Sequence, residues 1–394
     1  MGNFHNEHEP LGGKLVSKTT VVCAILALIA AFLLAKRMVL GLGSVTNLNN
    51  GFPWGIWIAY DVVIGTAFAC GGYAMALVCY ILNKGEYHPL VRPALLASCF
   101  GYTLGGISIV FDLGRWWNAW HILVPKYMQT NSVMFEVALC VMSYILVLWI
   151  EFAPAILTKF HLTAHRKKLD KVLFVFVALG CLLPTMHQSS LGTLLVVLGY
   201  QIHPLWQTPL LPLLFLTSAI CMGFSIVVFE AVLGSAGFKR SIKHEMPQLA
   251  KIARIVQGLM VVYLGLRFAD IAIRGELGAI FGSGLRSLMF FIEILLFATP
   301  VVLFQSIKNR TSKQGLFVGA VSMLLGGALY RLDAFLVAYD TGPGWHYFPS
   351  VSELMVTFGI IAAEVLLYIV FVRRLPVFYT HALTPAELAA AHDK

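Results

Sequence analysis

The sequence has few charged residues for its length. Of its 394 residues, 12% are Asp, Glu, Lys or Arg and 59% are hydrophobic, whereas a soluble domain carries about 25% charged residues. Apolar runs of about 20 residues recur along the chain, and each can cross a hydrocarbon core of about 30 Å. A large soluble helical protein would need polar helix faces, which these runs lack. The composition therefore predicts a polytopic membrane protein.

The usual processing and metal-binding motifs are also missing. No A-x-A cleavage site follows the first apolar run, so we interpret it as a retained helix and not as a signal peptide. Asn6 stands where a myristoylation motif needs Ser or Thr. The 7 cysteines are scattered singly and form no C-x-x-C pair. This pattern predicts that the chain carries no iron–sulfur cluster and no zinc site.

Histidines are scarce in the apolar runs. Of the 12 histidines, only His187 lies well inside a run, and no second histidine is placed to face it. Transmembrane haems of the b type are usually held by facing histidine pairs, with the iron bound axially by imidazole. The sequence therefore predicts that this chain carries no haem.

Hydropathy and helix breakers predict an all-α membrane protein with ten transmembrane helices. The helices are expected near 19–38, 54–82, 91–113, 132–158, 170–190, 210–235, 252–273, 286–307, 315–338 and 351–373. Residues 188–209 are predicted to be an interfacial loop. The chain thus divides into a single membrane domain, 19–375, and two tails, 1–18 and 376–394.

The positive charges are unevenly distributed between the connecting segments. With the N-terminus inside, twenty of the 28 Lys and Arg residues fall on that side and six on the opposite side. The positive-inside rule then predicts that both termini are cytoplasmic. Topology explains the net charge of +9, so nucleic-acid binding is not expected. The outer loops, such as "RWWNAWHILVPKY", are rich in aromatic residues and form either an aromatic belt or a surface for a partner protein.

A faint internal repeat concerns two helix starts. "NSVMFEVALC" opens the fourth predicted span and "RSLMFFIEIL" opens the eighth. The spacing of four helices is compatible with two four-helix bundles flanked by one further helix at each end.

Several ionisable residues fall inside the predicted spans, where a charge costs about 2.5–3.5 kcal/mol. Two pairs, Arg267 with Asp270 and Arg331 with Asp333, could be structural ion pairs. Glu136 and Glu151 share one helix, about 22 Å and about 60° apart. They could be the two ends of a proton path, with Glu230 at its cytoplasmic mouth. Neutral carboxyls satisfied by neighbouring helices are the alternative.

His187 belongs to the unusually polar stretch "GCLLPTMHQSSLGTLL", near the predicted outer end of the fifth span. An imidazole there can donate a hydrogen bond to a quinone carbonyl and exchange protons when the quinone is reduced. Gln188, Ser189 and Ser190 could complete such a polar lining. A histidine with satisfied hydrogen bonds at the interface is the alternative interpretation.

Several long motifs resemble the NrfD/polysulfide-reductase family of membrane subunits, and most closely its Hyb-type branch, the integral membrane subunits of nickel–iron hydrogenases. The similarity runs from about residue 10 to about residue 375. It is carried by "PLGGKLVSK", "GLGSVTNLNNGFPWG", "YHPLVRPALLASCFGYTLGG", "LLPTMHQSSLG", "IHPLWQ" and "MGFSIVVFE".

The resemblance implies a quinone-reactive anchor in the bacterial inner membrane, with no independent activity. The implied partners are a periplasmic ferredoxin-like iron–sulfur subunit and the small and large hydrogenase subunits, besides membrane lipids. Electrons from hydrogen would pass reversibly to menaquinone or ubiquinone, coupled to proton movement. The quinone-site or catalytic groups implied are Asp61, Tyr102, Glu136, His187 and the neighbouring Gln188. Arg92, Glu151 and Glu230 are implied on a proton route.

Three other functions stay open. Carboxyls in the membrane also suit a secondary transporter. The chain could be a passive anchor whose quinone site lies in a partner. It could also serve another oxidoreductase of the same family, one that takes electrons from sulfur or nitrogen compounds.

Overall fold

The computed structural model describes residues 8–282 and 284–379. Its main elements are ten helices long and apolar enough to cross a membrane, here called α1 to α10. In order, they are Lys18–Leu40, Trp57–Ile81, Gly85–Asp112, Val133–Lys159, Leu173–Gln201, Leu211–Gly237, Met246–Ile273, Leu285–Leu303, Lys313–Val337 and Val351–Arg374. The predicted all-α architecture with ten spans is confirmed. The predicted tails lie partly outside the described residues.

Shorter elements connect or modify these spans. Two strands, β1 and β2, are His8–Glu9 and Phe378–Tyr379. Short helices between the spans are Leu42–Ser44, Trp116–Leu123, Pro125–Tyr127, Thr163–Asp170, Glu276–Gly278, Ala279–Gly282 and Ile307–Arg310. Wider π-helical turns occur inside α2 and α9, at Trp57–Ile64, Leu77–Ile81 and Asp333–Val337.

The spans form two four-helix bundles. α2 to α5 pack as the first and α6 to α9 as the second, and the two meet where α6 contacts α2 and α5 and where α9 contacts α2. α1 packs mainly on α10, which also lies against α3. The predicted arrangement of two bundles with a flanking helix at each end is therefore confirmed.

The two described ends of the chain meet at one end of the molecule. β1 pairs antiparallel with β2, with His8 opposite Tyr379. We call this end the tail face; it also carries the connections after α2, α4, α6 and α8. The opposite end, which carries the connections after α1, α3, α5, α7 and α9, is the loop face.

α5 is longer than the sequence predicts. The helix continues through the polar residues because their hydroxyls bond back within it: Ser189 donates to the Thr185 carbonyl and Ser190 to the Met186 carbonyl. Its last turn begins at Gly199, which has a φ of 56°, a conformation that favours glycine. The predicted loop at 188–209 is therefore wrong over residues 188–201, and His187 lies near the middle of the helix.

Arg37 fixes α1 against α3. Its side chain is buried, its Nε donates to the Phe111 carbonyl at 2.6 Å, and its Nη2 donates to the Leu113 carbonyl. These carbonyls lie at the C-terminal end of α3, where the helix dipole favours a positive charge. A basic residue in a span is thus satisfied by a neighbouring helix end.

The predicted ion pairs within single spans are wrong. Arg267 pairs across the second bundle with Glu293 at 3.2 Å, whereas Asp270 pairs with Arg274. Among the described residues, Arg331 donates to groups on α5, α6 and its own helix and not to Asp333. A buried guanidinium is directed into the bundle interior, so its partners come mostly from facing helices.

Candidate functional site

His187 is fully buried and both of its ring nitrogens are engaged. Nε2 lies 2.8 Å from the Tyr102 hydroxyl of α3, and Nδ1 lies 2.9 Å from the Leu183 carbonyl one turn earlier on α5. A carbonyl can only accept, so Nδ1 carries the proton and Nε2 accepts from the tyrosine. Tyr144 packs edge-on against Tyr102. The imidazole is therefore held in one tautomer and one orientation.

Gln188 joins the two bundles beside His187. Its Nε2 donates to Thr66 Oγ1 on α2 at 3.2 Å, and its Oε1 accepts from Arg331 Nη2 on α9 at 3.3 Å. Arg331 also donates to the hydroxyl of Ser218 on α6. The amide thus links α5 directly to α2 and α9, and through Arg331 to α6.

Glu136 lies in the first turn of α4, half-buried, near the loop face. Its Oε1 accepts a hydrogen bond of 2.8 Å from Ser190 Oγ on α5. A carboxylate in a first turn is also stabilised by the helix dipole. The structure therefore places this carboxyl about one turn above His187, where it can take or give a proton.

Glu151 faces the same helix nearer the tail face. Its carboxyl packs on Gly180 of α5, where a Cβ would collide with Oε1, and this oxygen has no hydrogen-bond partner among the described residues. Pro184 lacks an N–H, so the Gly180 carbonyl has no helical donor there. Glu136 and Glu151 thus both point at α5, as their spacing along α4 predicts.

Asp61 lies in the π-helical turn of α2 and is 5% exposed. Its Oδ2 accepts from Thr357 Oγ1 of α10 at 3.2 Å, and its Oδ1 has no partner among the described residues. Burying an acceptor without a partner is unfavourable. This oxygen is therefore available to accept a further hydrogen bond.

Arg92 and Glu230 both lie near the tail face. Arg92 donates to the Pro376 carbonyl at 3.2 Å and so holds the segment that leads into β2. Glu230 lines a small cavity of about 10 Å³, together with Arg240 and Tyr368. The two residues are close to the tail face but do not share a hydrogen bond in the described structure.

A larger crevice of about 400 Å³ opens in the loop-face half of the first bundle. Its wall is mostly apolar and comes from α2 to α5. Trp54 in the connection before α2, Phe335 of α9 and the 113–132 connection complete it. The lining residues are Trp54, Ile58, Val62, Val63, Ile109, Leu113, Asn118, Ala119, His121, Ile122, Tyr127, Gln129, Met134, Phe135, Val137, Ala138, Leu191, Leu194 and Phe335. Its volume and apolar lining are typical of a site for an organic ligand.

Polar groups enter this crevice from a segment that the sequence predicts only as an aromatic outer loop. Asn118, His121, Tyr127 and Gln129 belong to the wall. His121 stacks on Tyr127 with ring centroids 4.1 Å apart. The sequence signal that could have identified them is the group of hydrogen-bonding side chains among the tryptophans of "RWWNAWHILVPKYMQ".

The predicted site residues are not among the lining residues of the crevice; they lie next to them or toward the tail face. Leu191 of the wall lies one turn above His187 on α5, and Glu136 lies between the lining residues Phe135 and Val137. Farther from the crevice, Tyr102 bonds to His187, and Gln188, the next residue along α5, bonds to Thr66 of α2. The crevice has room for a flat apolar ring, and the Glu136 carboxyl lies beside its lining residues.

Comparison with curated proteins finds relatives that match most of the chain. It is 46% identical to the probable Ni/Fe-hydrogenase 2 b-type cytochrome subunit of Escherichia coli K12, over 94% of this chain and 95% of the relative. It is 29% identical to the integral membrane subunit of the menaquinone reductase of Nitratidesulfovibrio vulgaris, over 58% of this chain and 56% of the relative. It is 22% identical to a selenate reductase subunit of Mesobacillus selenatarsenatis, over 91% of this chain and 93% of the relative.

The expectation that this chain carries no haem is contradicted by the E. coli relative, which is described as a b-type cytochrome subunit. The described residues do not identify the axial ligands of such a group. His187 has both nitrogens engaged, and the other histidine within the described spans is His88, at the tail-face end of α3. The side chains of the described spans therefore do not provide the facing histidine pair that is usual for a transmembrane haem.

A family model for NrfD, polysulphide reductase, matches residues 44–339. This region begins before α2 and ends after α9, so it contains both four-helix bundles and leaves out α1 and α10. The match covers the crevice and the contacts of Tyr102, Glu136 and His187. The chain belongs to the NrfD polysulphide reductase family of integral membrane proteins.

Proposed function

We propose that this chain is the quinone-reactive membrane subunit of a nickel–iron hydrogenase complex. In this role it passes electrons between an iron–sulfur partner and quinone in the membrane. The observation that carries the proposal is the apolar crevice of about 400 Å³ beside Glu136, in a chain 46% identical to a hydrogenase 2 subunit.

The crevice is suited to a quinone head group because it combines apolar walls with hydrogen-bonding groups. Trp54, Phe135 and Phe335 present aromatic surface, and His121 and Gln129 present polar atoms at the loop-face side. Menaquinone is the substrate favoured here, because one relative is a menaquinone reductase subunit. Ubiquinone has the same carbonyl chemistry and is the alternative.

Reduction of a quinone to a quinol takes up two electrons and two protons. Glu136, bonded to Ser190 at the edge of the crevice, is the proposed immediate proton donor. Glu151 lies on the same side of α4 nearer the tail face, so it is the proposed source from which Glu136 is reprotonated. His187 and Tyr102 lie on the tail-face side of the crevice, and the hydrogen bond between them is proposed to relay protons there.

The tail face is proposed to be cytoplasmic and the loop face periplasmic, as the distribution of Lys and Arg predicts. A proton taken up at the tail face then reaches quinone near the loop face and crosses most of the membrane. Each charge moved across 100 mV is worth about 2.3 kcal/mol. Hydrogen oxidation would thereby contribute to the membrane potential, and the potential could drive the reverse reaction.

The iron–sulfur partner and the hydrogenase small and large subunits are proposed to dock on the loop face. Aromatic side chains are exposed there, including Trp117, Trp120, Tyr200 and Phe348. Exposed aromatic residues are frequent anchors of protein interfaces. Electrons arriving at this face have the shortest path to the crevice.

The proposed function is tested by a substitution that occupies the crevice with a larger side chain and leaves the fold intact. Ala138→Trp places an indole in the crevice wall, whereas Leu139→Trp adds the same side chain at a neighbouring position of α4 that is 38% exposed. We expect Ala138→Trp to weaken menaquinone binding by about tenfold or more, equivalent to about 1.4 kcal/mol, and Leu139→Trp to have no effect. Hydrogen-driven menaquinone reduction by the assembled complex in proteoliposomes measures this. Equal activity of the two variants would reject the crevice as the quinone site.

A second candidate is the membrane subunit of an oxidoreductase with a different catalytic partner. The similarity to a selenate reductase subunit over most of both chains favours it. Purifying the complex through this chain and analysing its metals distinguishes the two, because nickel is expected only with a hydrogenase partner.

A further inference from the structure

α10 carries a carboxyl, Glu364, for which the proposed function has no role. This helix lies outside residues 44–339, the region that the family model matches. A half-buried carboxyl in a membrane span requires an explanation, since it is costly unless it is neutral or partnered. Its surroundings on α3 and α2 supply one.

One face of α3 consists of small residues. Ala94, Gly101 and Gly105 are buried and spaced by seven and four residues, which places them on the same side of a helix. A Cβ on Gly101 would lie 3.2 Å from Glu364 Oε1, and a Cβ on Gly105 would lie 3.0 Å from the backbone carbonyl oxygen of Asp61. Gly101 therefore lets the Glu364 carboxyl of α10, and Gly105 lets the backbone of α2 at Asp61, approach one face of α3.

Glu230 continues this arrangement toward the tail face. It lines the cavity of about 10 Å³ together with Ala94 and Tyr368, and such a cavity has space for about one water. Tyr368 is four residues, or one turn, from Glu364 on α10. Glu230 also interacts electrostatically with Glu364 and with Tyr368.

Asp61 continues it toward the loop face. Thr357, which donates to Asp61 Oδ2, is seven residues from Glu364 and on the same side of α10. Tyr60 interacts electrostatically with both Asp61 and Glu364. The buried Oδ1 of Asp61 has no partner among the described residues, and the next two residues, Val62 and Val63, line the crevice.

We propose that Glu230, Glu364 and Asp61 form a proton path from the tail face to the crevice, with Glu364 of α10 as its middle group. The path rests on the proposed function, because its end point is a quinone. One proton enters at Glu230 and passes through Glu364 and Asp61, with water bridging the gaps. It ends on an oxygen of a quinone that receives its electrons from the iron–sulfur partner. Each carboxyl then returns to its starting protonation state.

Apart from Glu230, which the sequence predicts at the mouth of the route along α4, this path uses residues that the α4 route does not. Cys99 and Thr103 lie on the side of α3 opposite Gly101, because a separation of two residues turns a helix by about 160°. Trp149 of α4 donates to Thr103 Oγ1 at 2.9 Å, and Glu151 interacts electrostatically with Cys99. The quinol formed in the crevice can therefore receive its two protons from two sides, from Glu136 and from Asp61.

The test uses Glu364→Gln, which keeps the shape of the side chain and removes its proton exchange. In proteoliposomes of the assembled complex, we expect hydrogen-driven menaquinone reduction to fall about tenfold or more, with an unchanged KM for menaquinone. Glu364→Asp is expected to restore most of the rate. Hydrogen-driven reduction of a soluble dye by the washed proteoliposomes, which needs no quinone, reports how much catalytic partner remains bound to this chain. Glu86→Gln, which removes an exposed carboxylate of the tail-face region, is the matched control.

A Glu364→Gln variant with wild-type quinone reduction would overturn the path. If the wild-type complex itself fails to reduce any quinone, the proposed function is wrong, and infrared spectroscopy of the same preparation decides the role of Glu364. A carboxyl band that disappears in Glu364→Gln and shifts in D2O supports proton exchange along the path. A band that does not shift in D2O rejects it.

Discussion

At the scale of single residues, His187 has a fixed ring orientation, because both of its ring nitrogens form hydrogen bonds within the protein. His187 donates from Nδ1 and accepts at Nε2, so each of its polar atoms depends on one partner. A buried acceptor that loses its donor costs more free energy than the bond itself contributes. Its role therefore depends on Tyr102 as much as on the imidazole.

Tyr102→Phe removes the hydroxyl and leaves His187 Nε2 without a donor. We expect the free energy of unfolding to fall by about 1–3 kcal/mol, with slower menaquinone reduction. Denaturation of the purified protein in detergent measures the stability. Tyr200→Phe, at a side chain that is 96% exposed, is the control for stability and should leave the free energy of unfolding of the purified protein unchanged. A stable Tyr102→Phe protein would mean that the imidazole finds another donor.

Glu293→Gln tests the buried ion pair of the second bundle. Arg267 would then remain charged without its carboxylate, and the loss of one partner of a buried pair typically destabilises by about 3–5 kcal/mol. Glu86→Gln breaks an exposed pair with Lys251 and should cost about 1 kcal/mol or less. The thermal midpoints of both variants provide the measurement. Equal shifts would show that the Arg267 pair does not hold the bundle.

At the scale of elements, α4 and α5 differ in how much of the site the sequence could predict. The 15-residue spacing of Glu136 and Glu151 correctly places both on one side of α4, because helix geometry is regular. The end of α5 could not be predicted, since hydroxyls that bond to their own helix make a polar stretch compatible with a span. The sequence does not predict the crevice, because its wall combines five helices and two connections that are far apart in the sequence.

Gly180→Ala probes the close contact between α5 and α4. The added methyl would occupy the space of the Glu151 carboxyl, so we expect that carboxyl to move and menaquinone reduction to fall about tenfold. Gly258→Ala on α7 adds the same methyl where nothing lies within 4 Å and should leave the rate unchanged. Proteoliposome assays of both variants give the comparison. Unchanged activity of Gly180→Ala would remove Glu151 from the proposed route.

At the scale of the whole molecule, the two described chain ends close the tail face together. Burial and the nearby Arg92 and Arg166 lower the pKa of His8 from 6.5 to about 3. A released strand regains the ordinary pKa, so between pH 6.5 and pH 3 the released state binds more protons. The pairing of β1 with β2 is therefore expected to weaken as the pH falls through this range and to be constant above it.

Acidification should thus separate β1 from β2 while the spans stay intact. Spin labels introduced by Glu9→Cys and Phe378→Cys measure the distance between the strands as a function of pH. His8→Gln cannot be protonated, and the distance in that background should not change between pH 7 and pH 4. Separation at high pH instead of low pH would contradict the stated direction.

The ten-span count and the two bundles follow from hydropathy and a weak repeat, whereas the partners of the flanking helices do not. α1 contacts α10 far more than any other span, although more than 300 residues separate them in the sequence. Hydrophobic periodicity cannot identify such a pairing, because both helices are apolar on most sides.

This pairing determines the order in which the protein can be completed during synthesis. Chains emerge from the ribosome N-terminal end first, so α1 enters the bilayer long before its main partner exists. α1 therefore stays in the lipid without this partner until α10 leaves the translocon. Only then can α10 bring Glu364 against α3. A polypeptide that ends after α9 would contain both four-helix bundles but lack Glu364, the middle group of the proposed path through Asp61.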